Sequence, residues 1–139
     1  MEFDYKELIS KAFEARKFSY CPYSHFAVGA ALLAENDKVY TGCNIENASY
    51  TPGSCAERTA INKAVSEGIK DFIAIAIVGG YENSSDFDIC PPCGVCRQVM
   101  SEFCADDFKI ILAKSEDDYK VYTLNELLPV SFGPNDLLP

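Results

Sequence analysis

The chain holds a single histidine, His25, among its 139 residues, and that scarcity narrows the chemistry open to it. A His-Cys hydrolase arrangement has only this one candidate, and no nucleophile motif supports it. His25 lies far in sequence from the acidic residue that matters below and reads as a loop residue. Positive charge is also short. Lys plus Arg number 12 against 21 Asp plus Glu, a net charge of −9. No basic patch is visible along the chain, and such a surface repels phosphate backbones, so no nucleic-acid partner is expected. Long apolar runs are missing: none reaches the roughly 18 residues of a membrane helix, so no membrane partner is expected. The N-terminus, Met-Glu-Phe-Asp-Tyr-Lys, is charged and lacks a secretory h-region. A cytoplasmic location is the expectation.

What remains is enough for one core. Apolar residues make up 48% of the chain, with no low-complexity tract, no repeat and no linker, so residues 1–139 read as one domain. Seven cysteines is an odd number. With no export signal, a disulfide framework is disfavoured and metal binding by some of them is the better reading.

Periodicity places the elements. Tyr5, Leu8, Ile9, Ala12, Phe13 and Arg16 recur at helical spacing over Asp4 to about Lys17. Val28 to Leu33 and Lys38 to Cys43 flank a Glu-Asn-Asp turn and read as a β-hairpin. Cys55 to Glu67 has helical periodicity, with Gly68 placed to stop it. Phe72 to Val78 is a continuous apolar run, as for a strand buried on both faces, and Gly79-Gly80 with an acidic loop follow it. A helix from Cys93 to about Phe103 succeeds Pro91-Pro92. Phe108 to Ala113 and Tyr119 to Leu124 are further strands. Thr123 and Glu126 suit a capping box for a short helix over Asn125 to Leu128. This order predicts an α/β sandwich with helices covering a sheet. The last two strands are separated by only Lys114 to Asp118, too few residues for a parallel crossover, so they should be antiparallel.

Cys55-Ala56-Glu57 and Pro92-Cys93-Gly94-Val95-Cys96 carry the chemistry. Cys93 and Cys96 share a face at the start of a helix, and Cys55 begins another. Helix N-termini stabilise thiolate, the form that binds metal. Three thiolates leave one position of a zinc ion open for water, as catalytic rather than structural zinc sites do. Zinc lowers the pKa of such water toward neutrality and supplies hydroxide, and Glu57 stands beside it as a candidate proton carrier. Three thiolates also outweigh the charge of Zn²⁺. Arg58 is the candidate for compensating that charge.

Plainer readings compete. Cys93 and Cys96 could be a redox pair. Cys90-Pro-Pro-Cys93-Gly-Val-Cys96 is similar to part of an iron–sulfur ligand run, with Cys90 a rival ligand. Glu57 could close a capping box with Ser54. Cys43 and Cys104 read as small buried hydrophobes.

The blocks 21–32, 42–50, 55–60, 92–99 and 126–137, in this order and spacing, resemble the small homotetrameric zinc-dependent cytidine deaminases. The resemblance implies a three-layer α/β/α sandwich with a mixed five-stranded sheet. It implies hydrolytic deamination of cytidine and 2′-deoxycytidine, a nucleoside-salvage reaction at a C–N bond of a cyclic amidine, with one Zn²⁺ per chain. Cys55, Cys93 and Cys96 fall on the zinc ligands, Glu57 on the catalytic acid and base, and Arg58 on a charge-compensating arginine. Asn44 and Glu46 fall on residues that bind the ribose 3′-hydroxyl. Phe26 falls on an aromatic along the pyrimidine, and Ala56 on a backbone N–H that meets the ring carbonyl. Ala48, Tyr50 and Phe132 match positions that close the pocket from neighbouring subunits of a tetramer. An antiparallel final strand pair is similar to the nucleoside enzymes of the superfamily and unlike its RNA and DNA editors. Pro91, Cys90 and the loop Tyr81 to Ile89 depart from the family pattern. Two other readings stay open: deamination of another cytosine nucleoside, such as a blasticidin-type antibiotic, and a non-catalytic zinc or iron–sulfur module.

Overall fold

Period-two alternation assigns each strand residue to one of two cores. The strands are β1 (Phe26–Ala34), β2 (Val39–Cys43), β3 (Phe72–Tyr81), β4 (Lys109–Ala113) and β5 (Tyr119–Thr123). Ala30, Leu32, Ile75, Ile77, Ile110 and Leu112 face one core, while Ala31, Leu33, Ala74, Ala76, Val78 and Ile111 face the other. This computed structural model describes residues 3–139; Met1 and Glu2, which open the charged N-terminal stretch, lie outside them.

The strands form one mixed sheet of order β2-β1-β3-β4-β5. β1 pairs antiparallel with both β2 and β3, and β3 pairs parallel with β4. β4 and β5 are antiparallel, as the short connection requires. Helix α1 (Tyr5–Arg16) covers one face through Leu8, Ile9 and Ala12. Its N-cap Asp4 accepts from the Lys6 and Glu7 amides at 2.9 and 3.2 Å. Helices α2 (Ala56–Ser66) and α3 (Gly94–Phe103) lie on the other face, with Ala60, Ile61, Ala64 and Met100 buried there. The result is the three-layer sandwich.

Several boundaries shift by a residue or two from the sequence reading, β1 reaching back to Phe26, and two of the differences are instructive. β3 does not stop at Val78 but runs through Gly79 and Gly80, which pair with Val28 and Ala27. The glycines are there for space, not for a turn: a Cβ on Gly79 would stand 2.8 Å from the Cys90 sulfur, and one on Gly80 would stand 2.5 Å from the Phe87 ring. The short helix α4 (Leu124–Leu127) begins one residue early, and the Thr123–Glu126 capping box forms.

Gly29 and Gly42 set how closely the helices approach the sheet. A Cβ at Gly29 would lie 2.0 Å from the Ala12 carbonyl oxygen of α1. One at Gly42 would lie 2.4 Å from the Ala56 carbonyl oxygen and 2.5 Å from the Ala60 nitrogen, both in α2. Gly42 therefore fixes the height of the α2 N-terminus, where Cys55 sits. Gly29→Ala and Gly42→Ala should each lower unfolding free energy by about 1–3 kcal/mol in urea titrations. Only Gly42→Ala should also quicken zinc loss to a chelator; equal loss in both variants would refute that division.

Candidate active site

Cysteines occupy the cap positions of both helices that reach the site. Cys55 is the N-cap of α2 and Cys93 the N-cap of α3, each with extended backbone and no side-chain cap bond. The two helix N-termini are thus left for a ligand rather than capped by serine or aspartate. Cys96 follows in the first turn of α3 and is buried. The Cys55, Cys93 and Cys96 sulfurs all lie within 4.8 Å of one another. Cys55 and Cys93 sulfurs are 3.6 Å apart, as are those of Cys93 and Cys96. This is the one such group of metal-ligating side chains among the described residues. It contains neither Cys90 nor a fourth cysteine, so an iron–sulfur ligand set is not assembled.

The electrostatics of the trio suit a cation. Donation from Cys96, then from Cys93 and Arg58, holds the Cys55 thiol down at about 5. Donating a hydrogen bond to the Cys55 thiolate pushes the Cys96 thiol up, and burial raises it further. Arg58 donates through Nη2 to the Gly53 carbonyl at 3.0 Å. Its Nε is buried with no hydrogen-bond partner among the described residues. A guanidinium so placed leaves a charge facing the thiolates rather than a neutral acceptor. Zinc, with its preference for thiolate ligands in a tetrahedral set, fits this site.

Glu57, on the first turn of α2, is 3% exposed and is the buried charged residue of the core. Burial first, then the Cys55 charge, pushes its carboxyl up to about 7. The capping box with Ser54 is absent: the Ser54 hydroxyl contacts the Cys55 carbonyl and the Thr59 hydroxyl instead. Cys55 and Glu57 both reach one cavity because they flank a helix start, where a metal ion and a ligand would lie off the helix end. The cavity holds about 660 Å³, in the range of small-molecule sites, and is lined by Glu57, Cys55, Cys93, Ala56, Asn44 and Glu46 among others.

The remaining expected residues divide. Ala48, Tyr50 and Arg58 line the same cavity, with Tyr50 fully exposed at its rim. Glu46 accepts from the Tyr23 and Ser24 amides at 3.1 Å each. Its carboxyl is held below the usual range chiefly by Ser24. Asn44 does a task that spacing did not reveal. Its Oδ1 accepts from the Val28 amide at 2.9 Å and from the Ser19 hydroxyl, and its Nδ2 donates to the Phe26 carbonyl at 2.8 Å. It therefore pins the start of β1 and keeps one amide hydrogen for the cavity. Phe26 and Phe132 are not brought to the cavity within this chain. Phe26 packs edge-on against Tyr81 with centroids 5.2 Å apart, and Phe132 is 59% exposed on the C-terminal segment.

Cys90, Pro91 and Tyr23 line the cavity as well. The Cys90 thiol is pushed up to about 12, mainly by burial, so it stays neutral. Cys43 is half-buried and the Cys104 thiol is pushed up to about 12 by burial, in keeping with packing roles. His25 is a loop residue facing Glu82, with Nδ1 3.5 Å from its carboxylate.

A metal-binding thiolate trio with a buried carboxylate, set on helices over a mixed sheet, defines a zinc-dependent hydrolase-type site. The chain belongs to the family described as the cytidine and deoxycytidylate deaminase zinc-binding region, which residues 3–112 match. It is 48% identical over 134 residues to a cytidine deaminase of Halalkalibacterium halodurans, covering 96% of this chain and 98% of that one. A cytidine deaminase of Sporosarcina psychrophila is 46% identical over 134 residues, covering 96% of this chain and 95% of that one. The crystal structure of cytidine deaminase from Burkholderia pseudomallei superposes with a TM-score of 0.82 at 43% identity, covering 91% and 97% of the two chains.

The raised Glu57 pKa has a consequence for the zinc-free protein. The folded state holds the proton more tightly than the unfolded chain, whose carboxyl titrates near 4.5. The stability from this group is whole below that pH and is lost as pH rises through about 7, to the extent of about 3 kcal/mol. Zinc-free Glu57→Gln should therefore be more resistant to urea than the parent at about pH 8 and little changed at about pH 4. An equal gain at both would remove ionisation as the cause.

Proposed function

We infer that this chain is a zinc-dependent cytidine deaminase that converts cytidine and 2′-deoxycytidine to uridine and 2′-deoxyuridine with release of ammonia. The observation that carries it is the buried Glu57 carboxyl beside three convergent cysteine sulfurs at a nucleoside-sized cavity. The family and its relatives support the substrate class.

Cys55, Cys93 and Cys96 hold the zinc, which supplies Lewis acidity and a water acidified toward neutral pH. Every other task falls to the chain. Glu57 accepts a proton at a carboxylate oxygen and delivers it to ring N3, which makes C4 more electrophilic. It then carries a further proton to the leaving amino group. A carboxyl poised near 7 suits transfer in both directions at neutral pH. Glu46, ionised and fixed by two backbone amides, accepts from a sugar hydroxyl and repels a phosphate there; Asn44 offers its free amide hydrogen beside it. The Ala56 amide, at the open N-terminus of α2, meets the ring carbonyl. The Pro91 carbonyl faces the leaving amine, which proline at that position allows.

Tyr50 and Ala48 at an open rim, and the exposed Phe132, support a homotetramer in which neighbours complete each pocket. Phe26 is matched to the pyrimidine wall by its sequence block alone, since in this chain it packs on Tyr81. No helix among the described residues is long and apolar enough to cross a membrane. With the net charge of −9, this supports a free nucleoside as substrate, no nucleic-acid or membrane partner, and a cytoplasmic location.

Ultraviolet absorbance of cytidine mixed with the zinc-loaded protein tests the reading. The parent should produce uridine in a chelator-sensitive manner. Glu57→Gln should keep zinc and fold while losing about 100-fold or more in kcat; near-parental turnover would remove Glu57 as the proton carrier. Phe132→Ala should raise KM and shift the assembly to smaller species in size-exclusion chromatography. An unchanged KM would count against a shared pocket.

A further inference from the structure

The zinc-ligating turn and the C-terminal segment are tied together by two consecutive residues of α3 that do not line the active-site cavity. Arg97 donates from Nε to the Pro92 carbonyl at 2.8 Å and from Nη1 to the Leu127 carbonyl at 2.7 Å. One guanidinium thus grips the peptide just before Cys93 and, 30 residues further on, the last residue of α4. Gln98 donates from Nε2 to the Phe132 carbonyl at 2.7 Å. A Cβ at Gly133 would approach the Ser101 hydroxyl to 3.1 Å, so the segment after Phe132 also lies against α3. Between the two grips, Val130 adopts φ of 50°, a left-handed conformation unfavourable for a β-branched residue, and its side chain is fully exposed. The chain pays this conformational cost where α3 holds both flanks of the bend.

We propose that Arg97 and Gln98 are positioning residues that couple the zinc-ligating turn to the C-terminal segment, so that metal retention and the placement of Phe132 are set by one brace. The physical basis is the fork of the guanidinium. It presents donors in two fixed directions and can satisfy two carbonyls at once, whereas an ammonium is a point charge. The Pro92 carbonyl precedes a ligand, so its orientation steers the Cys93 sulfur. Partners that orient ligands in this way typically change metal affinity about 10–100-fold. The Leu127 carbonyl ends α4 and begins the run to Phe132. The proposal rests on the deaminase reading only where Phe132 affects KM; metal retention and segment order are measured apart from turnover.

The experiment uses the full zinc-loaded chain with Arg97→Ala, Arg97→Lys and Gln98→Ala. Zinc transfer to a chromogenic chelator reports the turn. Amide hydrogen exchange over 126–133 reports the segment, with 72–78 in the central strand as the internal reference. Arg97→Ala should release zinc about 10-fold faster or more and exchange faster over 126–133, with 72–78 unchanged. Arg97→Lys should fall between, and it carries the test should Arg97→Ala fail to fold. Gln98→Ala should release zinc at the parental rate, exchange faster over 126–133, and raise KM for cytidine with kcat nearly unchanged. Parental zinc release in the Arg97 variants would overturn the proposal. So would faster release with parental exchange over 126–133, since Arg97 would then serve the turn alone. Failure of the parent to deaminate cytidine would sink the functional reading, while zinc release and exchange would still decide the brace.

Discussion

Concentrated negative charge at two helix ends is the constraint on which the structure turns. Three sulfurs lie within 4.8 Å of one another, and a carboxyl is buried beside them. In water such a group would disperse. Here the partial positive charges of the α2 and α3 N-termini, left uncapped by side chains, point at it. Arg58 adds a full charge, and a divalent cation removes most of what remains. The lowering of Cys55 to about 5, and the raising of Glu57 to about 7, are two responses to this one field. The thiol that receives donors ionises readily; the carboxyl that is buried beside the resulting charge does not.

The sheet exists, for functional purposes, to bring those helix ends together. Both helices lie on the same face, α2 leading from β2 toward β3 and α3 joining β3 to β4. Parallel pairing of β3 with β4 demands a crossover, and α3 is that crossover. Glycine at position 42 lets α2 settle close against β2, so the height of Cys55 is set by backbone contact rather than by adjustable side chains. Asn44 completes the frame by anchoring the first residues of β1 beside the cavity. The metal-ligating end of the site is thus set by helices and strands, while the loops 44–54 and 90–92 complete the cavity wall.

Much of this was legible in the residues, and the portions that were not share a cause. Local rules sufficed for the Asp4-capped helix, the hairpin, the Thr123 capping box and the antiparallel last pair, because each depends on neighbours in sequence. The trio Cys55, Cys93 and Cys96 was legible because cysteine at helix starts has few structural uses in such numbers. Gly79 and Gly80 misled, since the same residue serves both turns and close packing, and only the partners Cys90 and Phe87 distinguish the two. The tasks of Asn44 and Arg97 were hidden for a related reason. Each acts on main-chain carbonyls or amides, which every residue possesses, so no pattern of side chains announces the partner. Phe26 and Phe132 lie away from the cavity of this chain, the first packed on Tyr81 and the second exposed, and no local pattern distinguishes such positions from cavity-lining ones.

The burial of Glu57 joins stability to chemistry. A surface carboxyl would be ionised throughout the neutral range and would return a proton poorly to a weakly basic amine. Moving it to 3% exposure beside a thiolate brings its two forms near balance at neutral pH, as the proposed two-way proton carrier requires. The same burial destabilises the zinc-free fold whenever that carboxyl ionises. A bound cation would offset the part of that penalty that comes from the Cys55 charge, which would link zinc retention to folding. Glu46 shows the opposite solution. It stays half-buried and ionised, held by Ser24 and two backbone amides, suited to a fixed acceptor rather than a carrier. Two carboxylates lining one cavity are thus driven apart in acidity, Glu57 by burial and the Cys55 charge and Glu46 by the donors at Ser24, and that separation suits the proposed division between a proton carrier and a ligand acceptor.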